Sequence, residues 1–451
     1  MKKIDVLVAE IGSTTTLINA FMLSPKPSFI GQGAAPTTVA ADVRTGLNNA
    51  IDALSENLGE QVEYDKMLAT SSAAGGLRMT VHGLVYDMTV KAGREAALGA
   101  GANIHMTTAG ILDEFDLNKI EKTNPNLILL AGGTDYGEKE TALTNAELLA
   151  KLENQSPIIY CGNVQNSEKI SHIFSKTGRK FYITENVYPK LDELNVEPVR
   201  TLIHQAFEAE ITEAPGMTFI REMVTGKIMP TPGAVMESAK ILHKEIGDLI
   251  VIDVGGATTD IHSVSEGNED IARIQITPEP TAKRTVEGDL GVYVNAANMC
   301  DAIGHDELEK EISLPIEPIL ENYKPIPQTT GQLKLTTALT WRASSQALKR
   351  HVGTLRHTYG STGRQTYAQG KDLTMVKYLV ATGGALTRLP ERDKVLERLV
   401  NLNQGGLLLY PAPGTIQILE DKDYILASLG VLHSAYPEET IYLMKKSLNI
   451  E

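Results

Sequence analysis

Two short stretches carry residues whose types and spacing could handle a phosphorylated ligand. The first, DVLVAEIGSTTTLINAF, runs from Asp5 to Phe21, and the second, DLIVIDVGGATTDIHSV, from Asp248 to Val264. They align without a gap, placing Glu10 on Asp253, Gly12 on Gly255, Thr15 and Thr16 on Thr258 and Thr259, and Ile18 on Ile261. Each is an apolar run ending in an acid, then a glycine turn, then a hydroxyl-rich run, and reads as a strand, a tight turn and an antiparallel return. Glycine lets backbone N–H groups approach an anion closely, and consecutive N–H groups in such a turn form an anion-binding nest. Serine and threonine hydroxyls add donors for phosphate oxygens.

A carboxylate beside a phosphate would repel it, so its presence implies a bridging cation. Mg²⁺ suits this role, because it keeps several waters and is commonly held by one or two carboxylates plus substrate phosphates. The expected metal-holding and catalytic residues are therefore Glu10 and Asp253. The expected phosphate donors are Gly12, Ser13, Thr14, Thr15 and Thr16 in one copy and Gly255, Gly256, Ala257, Thr258 and Thr259 in the other. Taken singly, either stretch could be an ordinary tight turn; two copies predict a pair of hairpins clamping one polyphosphate. A third glycine site, ATGGALTRLP, offers Gly383, Gly384 and Ala385, where the backbone could pass close to a base or ribose. Gly288 and Asp289 open a predicted helix, for which Asp289 could be the N-cap. Asp260 is expected to brace its turn by hydrogen bonding.

The elements that must position these residues are strands buried on both faces, since the first strand of each copy is continuously apolar. NLILLAGG (Asn126 to Gly133) and KYLVATGG (Lys377 to Gly384) form a second matching pair. Together the pairs predict two related α/β lobes, residues 1–247 and 248–451, with elaborations near 71–110 and 278–364 and the third glycine motif near 378–390. YKPIPQTTGQ (Tyr323 to Gln332) reads as a linker, ERDKVLERLV (Glu391 to Val400) as a solvated amphipathic helix, and DYILASLGVLHSAY (Asp423 to Tyr436) as an apolar helix with small residues at Ala427, Ser428 and Gly430.

Composition narrows the classes. Against 42 Lys and Arg stand 56 Asp and Glu, a formal charge of −14, which disfavours nucleic acid and anionic membranes as partners. The two cysteines, Cys161 and Cys300, fit a reducing cytoplasm and provide no disulfide framework. No run of about 18 apolar residues predicts a membrane span. His351 and His357, six apart, do not share a helix face as metal ligands would. The P-loop pattern is absent.

The two hairpins and the later glycine pair resemble the phosphate-1, phosphate-2 and adenosine motifs of the actin, sugar-kinase and Hsp70 ATPase superfamily. TSSAAGGLRM (Thr70 to Met79), LLAGGTD (Leu129 to Asp135), TENVYPKLDELNVEP (Thr184 to Pro198), IMPTPGAV (Ile228 to Val235) and AKRTVEGDLG (Ala282 to Gly291) further resemble the GlmL/MutL family. Those proteins serve adenosylcobalamin-dependent carbon-skeleton mutases and are unrelated to the mismatch-repair protein of the same name. The resemblance implies a duplicated, ribonuclease H-like α/β fold with two lobes around a nucleotide cleft, with Gly288 and Asp289 approaching the nucleotide and the helix of Asp423 to Tyr436 crossing back between the lobes. It implies a slow ATPase that uses ATP and Mg²⁺ to release damaged cobalamin from a client mutase of the glutamate mutase type. Glu10 departs from the superfamily's usual aspartate, which leaves ornithine or lysine aminomutase open as client. A small-molecule kinase of the same fold is the alternative. An activator of 2-hydroxyacyl-CoA dehydratases would need clustered cysteines for an iron–sulfur cluster, and Cys161 and Cys300 are far apart in sequence.

Overall fold

The computed structural model describes residues 1–12, 15–37, 43–72, 77–211, 217–226, 228–360 and 363–450. The chain forms two compact units, one of Met1–Phe21 with Ile30–Ala234 and one of Met22–Phe29 with Val235–Glu451.

The first unit opens with β1 (Lys2–Ile11), β2 (Thr15–Met22), β3 (Ser28–Pro36) and β4 (Val62–Ser71). β1 pairs antiparallel with β2 and parallel with β4. Because β1 is flanked on both sides and packed on both faces, its stretch from Val6 to Ile11 is wholly buried. After β4 the chain builds a separate sheet from β5 (Leu77–Gly83), β6 (Ala102–Ala109), β7 (Leu127–Leu130), β8 (Ile158–Tyr160) and β9 (Phe181–Ile183). All its pairings are parallel, in the order β6-β5-β7-β8-β9. The chain then returns with β10 (Ile228–Pro230), parallel to β4, completing a first sheet ordered β10-β4-β1-β2-β3.

The second unit repeats that plan. β11 (Leu249–Val254), β12 (Thr259–Val264) and β13 (Ala282–Glu287) are successive antiparallel partners. A separate hairpin of β14 (Thr354–Gly360) and β15 (Gly363–Gln369) precedes β16 (Tyr378–Thr382) and β17 (Gln417–Glu420). β16 is parallel to β11 and β17 to β16, so the sheet reads β13-β12-β11-β16-β17. Strand for strand this is the order of the first sheet, with the first two strands antiparallel and two parallel additions beside the first. The duplicated α/β fold expected from the hairpins is the fold observed. Its second core joins Ile250, Ile252 and Ile261 to Leu335, Leu339 and Leu348 of the helix Thr330–His351.

Three sequence expectations are corrected. The counterpart of β16 is β4, not the strand in Asn126–Gly133, which is β7 of the inserted sheet. β7 resembles β16 because it too is buried on both faces. Leu127 and Leu129 pack with Ala92 and Ala96 on one side, and Ile128 and Leu130 with Ala146 and Phe174 on the other. The segment from Tyr323 to Gln332 links no domains. It joins two helices inside the second unit, with the Tyr323 hydroxyl 3.1 Å from the Val292 carbonyl and 2.6 Å from Thr336 Oγ1. The apolar stretch from Asp423 to Tyr436 holds only the seven-residue helix Leu426–Leu432, followed by a second helix, Pro437–Ser447. The helix Arg392–Val400 is amphipathic as expected, burying Val395, Leu396, Leu399 and Val400.

No helix among the described residues is long and apolar enough to cross a membrane. Cys161 and Cys300 are each wholly buried, in the core of the first and second unit respectively.

Lys371 is a buried cation whose role is local. Its ammonium donates to the carbonyls of Ser265, Pro280 and Thr281 at 2.8, 2.7 and 3.0 Å, pinning the connection from β12 to β13. Burial pushes its pKa down from 10.5 to about 8, against the opposing pull of Glu279. Between those values the unfolded chain holds more protons than the folded one, so stability should rise as pH rises through that window. Trp341, the single tryptophan, lies in the second unit and reports its unfolding. In urea titrations at pH 8 and pH 10 followed by its fluorescence, Lys371→Met should remove part of the upward shift in midpoint. An identical shift in both proteins would show that Lys371 does not titrate in this range.

Candidate functional site

In the first unit β1 carries Glu10 at its penultimate position, and the turn closes with the Gly12 N–H donating to the Thr15 carbonyl at 3.0 Å. In the second, β11 carries Asp253 at its penultimate position, and the Gly255 N–H donates to the Thr258 carbonyl at 2.9 Å. Strand registers agree as well. Glu10 lies opposite Leu17 and Ile11 opposite Thr16, while Asp253 lies opposite Asp260 and Val254 opposite Thr259. On the other side Glu10 is beside Thr70 and Asp253 beside Thr382. The two strands that follow as fourth members both carry Ala-Thr at this level, Ala69-Thr70 one residue before the end of β4 and Ala381-Thr382 at the end of β16, a signal in the sequence that the hairpin alignment did not use. Each threonine is held from the fifth strand's end, Thr70 by the Thr231 hydroxyl at 3.1 Å and Thr382 by Asp421 at 3.0 Å.

The two copies differ in how the acid is braced. Glu10 is nearly buried, at 7% exposure, and accepts from Asn19 Nδ2 at 3.1 Å; Asn19 in turn accepts from Gln32 Nε2 at 2.8 Å. That chain restrains the longer side chain, and neither Asn19 nor Gln32 was singled out in the sequence. Thr16 is buried, its hydroxyl 2.9 Å from that of Thr37. Ser13 and Thr14 lie outside the described residues.

In the second copy Asp253 is partly exposed. Gly383 adopts φ +83°, and a β-carbon there would meet Asp253 Oδ1 and lie 2.6 and 2.7 Å from the amide nitrogen and carbonyl oxygen of Val254. Gly383 therefore lacks a side chain because the carboxylate and its strand occupy that space. Gly384 and Ala385 begin the short helix Gly384–Arg388. Asp260 braces the turn as expected, accepting from Thr258 Oγ1 at 3.0 Å and from Arg284 at 2.9 and 2.6 Å. The Thr259 hydroxyl is buried and donates to the Leu290 carbonyl at 2.7 Å.

Gly288 and Asp289 begin a segment that folds onto this turn. The carbonyl of Gly256 accepts from the amides of Tyr293 and Val294, and Asn295 Nδ2 reaches the carbonyls of Ala257 and Gly288 at 3.3 and 2.8 Å. Asp289 is not the N-cap: Asn295 holds that position ahead of the helix Ala296–Ile303. Asp289 instead forms a fork with Arg350 at 3.0 and 3.1 Å, and Arg350 also binds Glu287. The guanidinium holds the Asp289 carboxyl below its ordinary range, while burial raises that of Glu287 against the same guanidinium. His351, next in the chain, is 2.8 Å from Ser263 Oγ and 3.0 Å from Thr285 Oγ1.

A β-sheet pair of this topology, each with an acid at the end of its central strand and a glycine turn after it, defines the ribonuclease H-like fold class of actin and Hsp70-type ATPases. The MutL protein family model matches residues 6–448, and the chain belongs to that family. It is 38% identical over 459 residues to Protein MutL of Clostridium tetanomorphum, covering 98% of each chain. Among solved structures it is similar to a nucleotide-free diol dehydratase-reactivating factor (TM-score 0.36, 12% identity, 96% of this chain and 99% of that one). An acetone carboxylase gives a TM-score of 0.39 at 11% identity, over 96% of this chain and 70% of that one. The ethanolamine utilization protein EutJ from Carboxydothermus hydrogenoformans gives 0.30 at 10% identity, over 94% and 88%.

The contact of Gly383 with Asp253 is directly testable. Gly383→Ala must strain its left-handed backbone and displace the carboxylate, at a cost of about 1–3 kcal/mol. The midpoint of the Trp341 unfolding transition should fall accordingly, together with any nucleotide hydrolysis. A variant with unchanged midpoint and unchanged turnover would show that Asp253 does not rely on this space.

Proposed function

We propose that this protein is an ATP-dependent reactivating factor for an adenosylcobalamin-dependent mutase, hydrolysing ATP slowly to drive exchange of damaged cobalamin for fresh coenzyme. The observation that carries the reading is the residue-for-residue equivalence of the two hairpins, Glu10 beside Thr70 and Asp253 beside Thr382, in a chain of the MutL family.

The donor set fits Mg²⁺. Both acids end strands at glycine turns, and oxygen ligands suit a hard cation that keeps most of its waters. Among the described residues no group of three or more His, Cys, Asp or Glu gathers to hold a metal by protein ligands alone. Glu10 and Asp253 would hold the ion, which supplies charge neutralisation at the phosphates. Asp253, partly exposed and pressed against Gly383, orients the attacking water; Glu10, clamped by Asn19, is limited to one position. The amides of Thr15, Gly256, Ala257 and Thr258 receive the phosphates, Ser13 and Thr14 adding hydroxyls, while Gly12 and Gly255, whose own amides close the turns, leave room for the phosphate to approach. Gly288, Asp289, Gly384 and Ala385 border the nucleoside. Thr16 and Thr259, both buried, act by fixing the turns. Closing on ATP and opening on ADP would change affinity for the client; a tenfold difference requires about 1.4 kcal/mol.

The deciding experiment measures Mg²⁺-dependent ATP turnover alone and with glutamate mutase or ornithine aminomutase inactivated by cyanocobalamin. Recovery of mutase activity on adding adenosylcobalamin should require ATP. Turnover stimulated by a small metabolite and by neither mutase would favour the kinase alternative. Asp253→Asn should reduce hydrolysis by about 100-fold or more while nucleotide affinity stays within about tenfold, the pattern of a lost positioning carboxylate. Normal hydrolysis by that variant would remove the assignment. Gly255→Val should instead weaken nucleotide binding itself, read by calorimetry, because its side chain would fill the phosphate's approach. Unaltered affinity would place the nucleotide elsewhere.

A further inference from the structure

The inserted sheet of the first unit has a role of its own to explain. Its strand order, with β5 first in sequence and central between β6 and β7, is the doubly wound order 2-1-3-4-5. In such sheets the loops after the carboxyl ends of the strands, around the point where the order reverses, are the recognition edge. Two of the chain's family-specific stretches, Leu129–Asp135 and Thr184–Pro198, lie on these loops, and neither belongs to the hairpin site.

The loops are distinctive in what they expose. After β5 come Val85 and Tyr86, after β6 Ile111 and Phe115, after β7 Tyr136, after β8 Val164 and after β9 Leu191. Met1 aside, these are all the exposed large hydrophobic residues among the described residues of the first unit. Phe115, Tyr136 and Leu191 are 84, 77 and 72% exposed. Parallel strands bring all five loops to one edge, and hydrogen bonds tie neighbouring loops together. Asp135 Oδ1 accepts from the Val164 amide at 2.9 Å and from Asn186 Nδ2 at 3.0 Å, and the Gly110 amide donates to the Gly83 carbonyl at 2.9 Å. Tyr136 is held at φ +63°, a conformation rare for a bulky side chain, by its amide bond to Asn163 Oδ1 at 3.2 Å. The apolar tips are thus presented on a braced frame.

Exposed acids fringe them: Asp87, Asp113, Glu138, Glu185 and Asp192. Of the bases at these tips, Lys190 is paired with Glu193 at 3.3 Å and Arg94 donates to the Tyr86 hydroxyl at 3.1 Å. The apolar tips are spread over five loops at one edge, which suits a broad protein surface.

We infer that this edge is the docking surface for the client protein, whose complementary face has an apolar centre fringed by lysine and arginine. The inference rests on the reactivating-factor reading for the client's identity. The insert also stands where nucleotide state could reach it. β4, which sets Thr70 beside Glu10, leads directly into β5, and the Ser72 amide donates to the Ile11 carbonyl at 2.9 Å.

The test uses the full chain and cyanocobalamin-inactivated glutamate mutase or ornithine aminomutase, with affinity measured by interferometry. Phe115→Ser with Leu191→Ser, and separately Tyr136→Asn, should weaken binding at least tenfold while mutase-free ATP turnover stays within twofold of normal. Glu185→Lys with Asp192→Lys should weaken it further at low salt. Ile276→Ser with Leu407→Ser, which alters exposed hydrophobes of the second unit, should leave it unchanged. Unchanged binding by the edge variants, with the wild type binding, overturns the docking surface and leaves the reactivase standing. A wild type that binds neither mutase overturns the client reading and this assignment together. A wild-type dimer in sedimentation that these variants convert to monomer, with mutase binding intact, assigns the edge to self-association and overturns the proposal.

Discussion

The candidate site depends on one constraint, an ionisable residue placed at the last pleats of a strand that is otherwise buried on both faces. Val6–Ala9 of β1 and Leu249–Ile252 of β11 are sealed by neighbouring strands and by core packing, so within these stretches a carboxylate is excluded and the acid stands next to the turn. The same pleat then determines its neighbours. Thr70 and Thr382 sit beside the acids because the fourth strand runs parallel in that register, and Gly383 must be glycine because the acid's oxygen fills the position of its β-carbon. Turn, threonine and glycine are consequences of where the acid lies.

Within that common frame the two copies have diverged in a physically readable way. Asn19 and Gln32 make a neutral relay that steadies Glu10 and compensates for its additional methylene. In the second copy Asn19 is replaced by His262, which is fully buried; burial, with Arg284 nearby, pushes its pKa well below the ordinary value and keeps it neutral. The bracing there passes to Asp260 and Arg284, an ion pair nearly sealed from water. A charge pair of this kind contributes orientation more than stability, since desolvation offsets much of its attraction. One hairpin is thus held by amides and the other by charges, and the two acids differ in burial, Glu10 being nearly buried and Asp253 partly exposed.

The inserted sheet adds a second kind of surface to the first unit. Its core is closed on both faces, so whatever it does must be done at its ends, and its carboxyl edge is where apolar side chains, acids and a strained tyrosine meet. Joined in sequence to the strand beside Glu10, it is a recognition module attached directly to the site's framework.

The repeat was legible in the sequence because hairpin geometry is local: a gapless acid–glycine–threonine spacing can form only one turn, and it did so with the same hydrogen bond in both copies. The fold class and the placement of Glu10, Asp253, Gly12 and Gly255 therefore followed from residues a few positions apart. The strands that complete each sheet were not legible. Any parallel strand buried on both faces reads as an apolar run before glycines, so β7 imitated β16 while the true counterpart, β4, hid behind its charged first half. Asn19, Gln32, Arg284 and Arg350 escaped for the same reason, since a polar side chain acquires a role only from what the folded sheet sets opposite it. The apolar rim of the insert is the extreme case: its members span more than a hundred positions of chain, and only a parallel sheet, which sends every strand's end to one edge, brings them together.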